Sequence, residues 1–137
     1  MAEILSKRPQ QNSFQVVHFT SVRRFDDRQA VQSVRERYEQ DGWSVQSVEA
    51  EKLGYDLRCE RGDEQVHLEV KGTQGDDVCF IITAAEVRNA MIDRKHLTCV
   101  VTAALTAAPK MFTYTKDDFS KKIQLDPIAF HAQALSG

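Results

Sequence analysis

The chain has 137 residues, of which 42% are hydrophobic, and carries a formal net charge of −2 with a pI near 6.1. That is enough apolar material for one packed core of ordinary domain size. The near-neutral balance excludes a strongly basic binder drawn to nucleic acid by its net field, although local clusters such as Arg23-Arg24 with Arg28, or Lys121-Lys122, remain to line a groove.

No apolar run reaches the roughly 18–20 residues that span a bilayer, and residues 1–12 lack the apolar core of a signal peptide. A cytoplasmic protein without a membrane partner is expected. Cys59, Cys79 and Cys99 are odd in number and show no Cys-x-x-Cys spacing, so they are expected as buried thiols in strands within a reducing compartment.

In chain order, residues 1–12 are polar, contain Pro9, and are expected as a flexible lead to one domain over 13–137. Residues 13–20 alternate weakly around Phe14, Val16 and Phe19, which suits a short edge strand. From 25 to 41, Ala30, Val31, Val34 and Tyr38 recur at helical spacing, with Asp26 and Asp27 at the start and Gly42 at the stop. Arg35, Glu36, Arg37, Glu39 and Gln40 fill its outer, solvated face, where Arg28 or Arg35 are the candidates for a phosphate contact. Residues 43–49 predict a first strand.

The stretch that carries chemistry follows. Tyr55, Leu57 and Cys59 alternate with Asp56, Arg58 and Glu60, and Val66, Leu68 and Val70 alternate with Gln65, His67, Glu69 and Lys71. If Gly62-Asp63 forms a type II′ loop, Arg61 pairs with Glu64, Cys59 with Val66, Leu57 with Leu68, and Tyr55 with Val70. The same register sets Asp56 opposite Glu69, with β-carbons roughly 4.5–5.5 Å apart, and Lys71 one pleat further along.

Facing carboxylates destabilise a hairpin unless positive charge lies between them, and a hard divalent cation such as Mg²⁺ answers that need. The plainer reading is a polar sheet face neutralised by Lys71 through an ion pair worth under about 1 kcal/mol. Gly54 and Gly72 flank the acids where a substrate backbone would approach. His67 lies on the same face, either as an extra ligand or proton carrier or as a half-exposed strand histidine paired with Arg58.

Beyond it, 73–77 reads as a loop and 78–82 as a buried strand. Thr83-Ala84-Ala85-Glu86 has capping-box spacing at the start of a helix to about residue 94, which gives Glu86 a structural role. Strands over 97–104 and 110–115 and short helices over 117–121 and 127–135 complete the chain. The order predicts an α/β fold, a mixed sheet with helices on both faces.

Asp56 followed by Glu69-Val70-Lys71 resembles the Asp…(Asp/Glu)-x-Lys signature of the PD-(D/E)XK nuclease superfamily, with Tyr55 in place of its proline. A narrower resemblance, over about residues 24–105, is to the family of C-terminal domains of the protein NO VEIN. It rests on Gly42-Trp43, Gly54-Tyr55-Asp56, Glu69-Val70-Lys71-Gly72, and the run ending in Thr83 that leads to Glu86 and Ala90.

The resemblance implies a restriction-endonuclease-like core and a nuclease, dependent on Mg²⁺ or Mn²⁺, that acts on DNA or RNA. Asp56, Glu69 and the Val70 carbonyl would hold the metal, and Lys71 would orient the attacking water or stabilise charge on the phosphate. A helix glutamate often joins such sites; Val31 takes its place in this chain, with Asp27 and Gln32 nearby. Two other classes remain open: an inactive module of the same fold that binds nucleic acid or a protein partner, and a subunit whose sheet edges pair with another chain or with a copy of itself as a homodimer.

Overall fold

The structure of the protein, a computed structural model, describes residues 25–136. The expected lead and the expected edge strand over 13–20 lie outside the described residues. Residues 25–124 belong to one compact unit; residues 125–136 belong to another and contain no helix or strand.

Helix α1, Phe25–Gln40, opens the compact unit. It stops because Gly42 takes a left-handed φ of 90°, which lets its N–H bond Glu39 O while the Trp43 N–H bonds Tyr38 O, closing the last turn. Strand β1, Ser44–Ser47, and a 3₁₀ turn, Glu49–Glu51, lead to the hairpin of β2, Leu57–Arg61, and β3, Glu64–Gly72. Helix α2, Ala84–Ile92, then crosses over to β4, His96–Thr102. Strand β5, Lys110–Thr115, and helix α3, Lys116–Lys122, follow.

The sheet order is β1-β2-β3-β4-β5, antiparallel throughout except for the parallel pair β3 and β4. This is the α/β architecture expected, a mixed sheet flanked by helices. Period-two alternation decides what each face holds. Leu57, Cys59, Leu68, Val70, Cys99 and Val101 turn to one face and bury Ala30 and Val34 of α1. On the other face Thr98, Val100 and Thr102 are buried with Ala90 of α2 and Phe119 of α3.

The hairpin register is as expected from Leu57↔Leu68 to Arg61↔Glu64. Gly62 has φ 59° and Asp63 has none in the left-handed region, as a type II′ turn requires. Four expectations are corrected. Residues 78–82 form no strand: this half-buried run connects β3 to α2 and pairs with none of the five strands. Cys79 within it is exposed, whereas Cys59 and Cys99 are buried. No helix forms over 127–135, where Phe130 and Leu135 stand exposed and offer no packed face to stabilise one. Tyr55 does not face Val70, for a reason that belongs to the site. No helix among the described residues is long and apolar enough to cross a membrane.

Candidate active site

Strand β3 is longer than its antiparallel partner. Its even-numbered residues direct N–H and C=O groups toward β2, but the ladder ends at Leu57↔Leu68. Two carboxylates meet the N–H groups beyond that point: Val70 N–H donates to Asp56 Oδ2 at 2.8 Å and Gly72 N–H to Asp27 Oδ1 at 2.6 Å. Asp56 is fastened by its backbone as well, donating its N–H to Leu68 O at 2.8 Å and accepting from Val48 N–H at 2.9 Å.

The bond from Asp56 to Leu68 is offset by one residue from the ladder, so the chain changes face there. Tyr55 therefore stacks on His67, with ring centroids 4.2 Å apart and planes 6° from parallel, and its hydroxyl accepts from Arg58 at 3.2 Å. His67 sits opposite Arg58 in the register, as expected, while its ring contacts Asp93, Nδ1 to Oδ2 at 2.6 Å. The hydrogen bond to His67 and the Lys95 N–H outweigh burial and hold Asp93 below its usual range.

Asp56 thus takes the place of a missing ladder partner instead of standing squarely opposite Glu69. The two still converge, because both line a cavity of about 320 Å³ together with Glu49, Lys52, Gly54, Tyr55 and Glu86. Asp56 and Glu69 are only 6% and 3% exposed. A strand residue's N–H and C=O share one edge, so the Val70 carbonyl points toward Asp56 while its side chain sits in the core.

Lys71 Nζ lies 3.0 Å from Glu86 Oε1 and 3.4 Å from Glu69 Oε1. Glu86 also completes the capping box of α2, accepting from Thr83 N–H at 2.9 Å. Burial first, then the hydrogen bond with Glu86 and the Asp56 charge, push Glu69 well above the carboxylate range. For Glu86 burial acts in the same direction but is overcome by the hydrogen bond with Glu69 and by Lys71, which hold it at about 2. The pair is thus split in direction, Glu69 raised and Glu86 lowered, with Lys71 between them. Lys71 is raised although burial opposes it, because Glu69, Glu86 and Asp27 surround it with negative charge.

Of the positions considered for a helix acid, Val31 packs against the core and Gln32 bonds Glu36 on the outer face at 2.9 Å. Asp27 alone reaches the site, through Gly72. The sequence reading missed Glu86 as a site member, since its capping box accounted for it fully; its place in the Thr83-to-Ala90 piece was the available signal. Glu49 and Lys52 had no signal. Gly54 lines the cavity and is also needed for packing: with φ 86°, a Cβ there would collide with Asn89, whose side-chain amide donates to Leu53 O.

Asp56, Glu69 and Glu86 are oxygen donors, the ligand type a hard divalent cation takes. They outnumber Lys71, the cation held between two of them. The donor chemistry fits Mg²⁺ or Mn²⁺, while Lys71 occupies the space between Glu69 and Glu86; among the described residues no three His, Cys, Asp or Glu side chains are already gathered for a metal.

The family model described as Protein NO VEIN, C-terminal, matches residues 27–114, more than half of the chain and the whole of the site. No curated protein and no solved structure matches. The chain belongs to the family of NO VEIN C-terminal domains.

Proposed function

We propose that this domain is a nuclease of PD-(D/E)XK type that hydrolyses phosphodiesters of DNA or RNA with Mg²⁺ or Mn²⁺. The observation that carries the reading is the convergence of Asp56, Glu69 and Glu86 on one acidic cavity at the end of the hairpin ladder, with Lys71 held between Glu69 and Glu86.

Asp56, Glu69 and the Val70 carbonyl would hold the cation. When bound, it would offset phosphate charge and lower the pKa of a water molecule. Val70 N–H fixes Asp56 in orientation. Glu86 fixes the Lys71 ammonium beside Glu69, from where it would stabilise negative charge developing on the phosphate. A bound cation would favour the ionised form of Glu69, which burial disfavours.

Purified protein incubated with supercoiled plasmid, single-stranded DNA and RNA, in Mg²⁺, Mn²⁺ or EDTA, tests the reading beside Glu69→Ala and Lys71→Ala. Cutting by wild type that is lost in EDTA and in both variants is the expected result. Absence of cutting on every substrate, or equal cutting by all three proteins, sinks it.

A second reading has its own support. Asp56 and Asp27 are committed to backbone N–H groups, and Lys71 closes the Glu69–Glu86 pair. A domain kept for its fold would look like this: a catalytically inactive module that binds nucleic acid or a protein partner, with affinity indifferent to EDTA.

A further inference from the structure

The cavity has a second cation that the site description leaves without a task. Lys52 lines it alongside Glu49, Asp56, Glu69 and Glu86, yet its ammonium makes no ion pair with any described residue. The other cations nearby are engaged: Lys71 with Glu69 and Glu86, Arg58 with the Tyr55 hydroxyl, and Lys95 with Gln65.

Its backbone is unusual as well. Lys52 has φ 53° and ψ 43°, the left-handed region that glycine or asparagine fills at lower cost. Among the described residues only Ala103 is another non-glycine with positive φ. The surrounding loop holds this conformation rigidly. Lys52 N–H bonds Glu49 O, Glu51 N–H bonds Val48 O, Val48 N–H bonds Asp56 O, and Asn89 donates to Leu53 O. An exposed lysine kept in a disfavoured conformation by a pinned loop, at the mouth of an acidic cavity, is the kind of local strain that accompanies a binding role.

We propose that Lys52 is a substrate-contacting residue that binds a nucleic-acid phosphate next to the one at the acidic centre. The inference rests on the reading that this cavity takes a phosphodiester. The acidic centre alone repels a polyanion; a cation at the rim supplies attraction there and sets the register of the strand.

Lys52→Gly is the informative variant, because glycine keeps the left-handed backbone while removing the side chain and its ammonium; Lys52→Arg keeps the charge. Anisotropy of labelled oligonucleotides (duplex DNA, single-stranded DNA and RNA) is measured across a salt series in Ca²⁺ to suppress turnover. Steady-state cleavage is measured in Mg²⁺. For Lys52→Gly we expect binding weakened several-fold, a slope of log K against log salt less negative by about 0.7–0.9, and a raised KM with kcat unchanged. Lys52→Arg restores all three. Wild-type affinity and slope in Lys52→Gly, or a wild type that binds none of the three, overturns the inference. Weakened binding by Lys52→Gly in a protein that never cuts leaves Lys52 standing and removes the hydrolysis reading. Intact cutting with unchanged binding does the reverse.

Discussion

Asp56 is the residue on which structural and chemical roles are hardest to separate, and substitution separates them. Its carboxylate satisfies a buried backbone donor, Val70 N–H. Asp56→Ala strands that N–H and is expected to cost about 1–3 kcal/mol in urea unfolding. Asp56→Asn retains an acceptor oxygen and is expected to unfold near the wild-type midpoint while losing divalent-cation dependence. Equal destabilisation by both would show that charge, not the hydrogen bond, matters to the fold. A pH experiment isolates the neighbouring pair. Asp93 is held below its ordinary value of 3.8, so its carboxylate contributes stability that is complete above that value and is lost as pH falls through the lowered one. From about pH 5 downward the urea midpoints of wild type and Asp93→Asn should converge; a gap that persists in acid contradicts the assignment. Much at this scale was legible. Alternation and Gly62 set the register from Leu57 to Glu64, and the spacing of Glu69 and Lys71 put both on one face. The offset at Asp56 was not legible, because it depends on Val48, just past β1, and Leu68 of β3 meeting the Asp56 backbone.

Elements place these residues, and the largest element effects come from chain ends. Thr83 caps α2 and Glu86 closes its box, so the start of the crossover helix and the anchor of Lys71 are the same side chain. The capping spacing could be read directly; its second task required knowing that β3 and α2 approach each other. The run 78–82 misled because apolar, β-branched composition suits a half-buried connection as well as a strand, and pairing is a property of the assembled sheet. Gly54 is the element-scale test of the cavity wall. Gly54→Ala forces a side chain into a left-handed backbone and against Asn89, and is expected to destabilise by more than about 1 kcal/mol. That corresponds to a drop of several degrees in Tm for a domain of this size. Asn89→Ala on the same background relieves the collision but not the backbone strain, so it should restore only part of the loss. Full restoration would show that the positive φ of Gly54 carries no cost.

For the molecule as a whole, the sheet divides its labour by face. One face and α1 make the apolar core; the other carries the acidic cavity under α2, at the junction where antiparallel β2 gives way to parallel β4 as the neighbour of β3. Buried Cys59 and Cys99 belong to the first layer, where burial pushes their thiols up to about 11 and about 12, well outside nucleophilic chemistry. The α/β class and element order were legible because each long element has a clear period. The convergence of Glu49, Lys52 and Glu86 on Asp56 and Glu69 was not, since it depends on how the 3₁₀ turn at Glu49–Glu51 and the start of α2 meet the hairpin. The central claim is that this cavity takes a divalent cation. Titration calorimetry with Mn²⁺ near neutral pH, in two buffers of different ionisation enthalpy, tests it on wild type, Asp56→Asn and Glu69→Gln. A saturable site in wild type, and no such site in either variant, is the expected result, with any dependence of the heat on the buffer reporting protons released on binding. No saturable heat in wild type, or the same binding in all three proteins, contradicts the account.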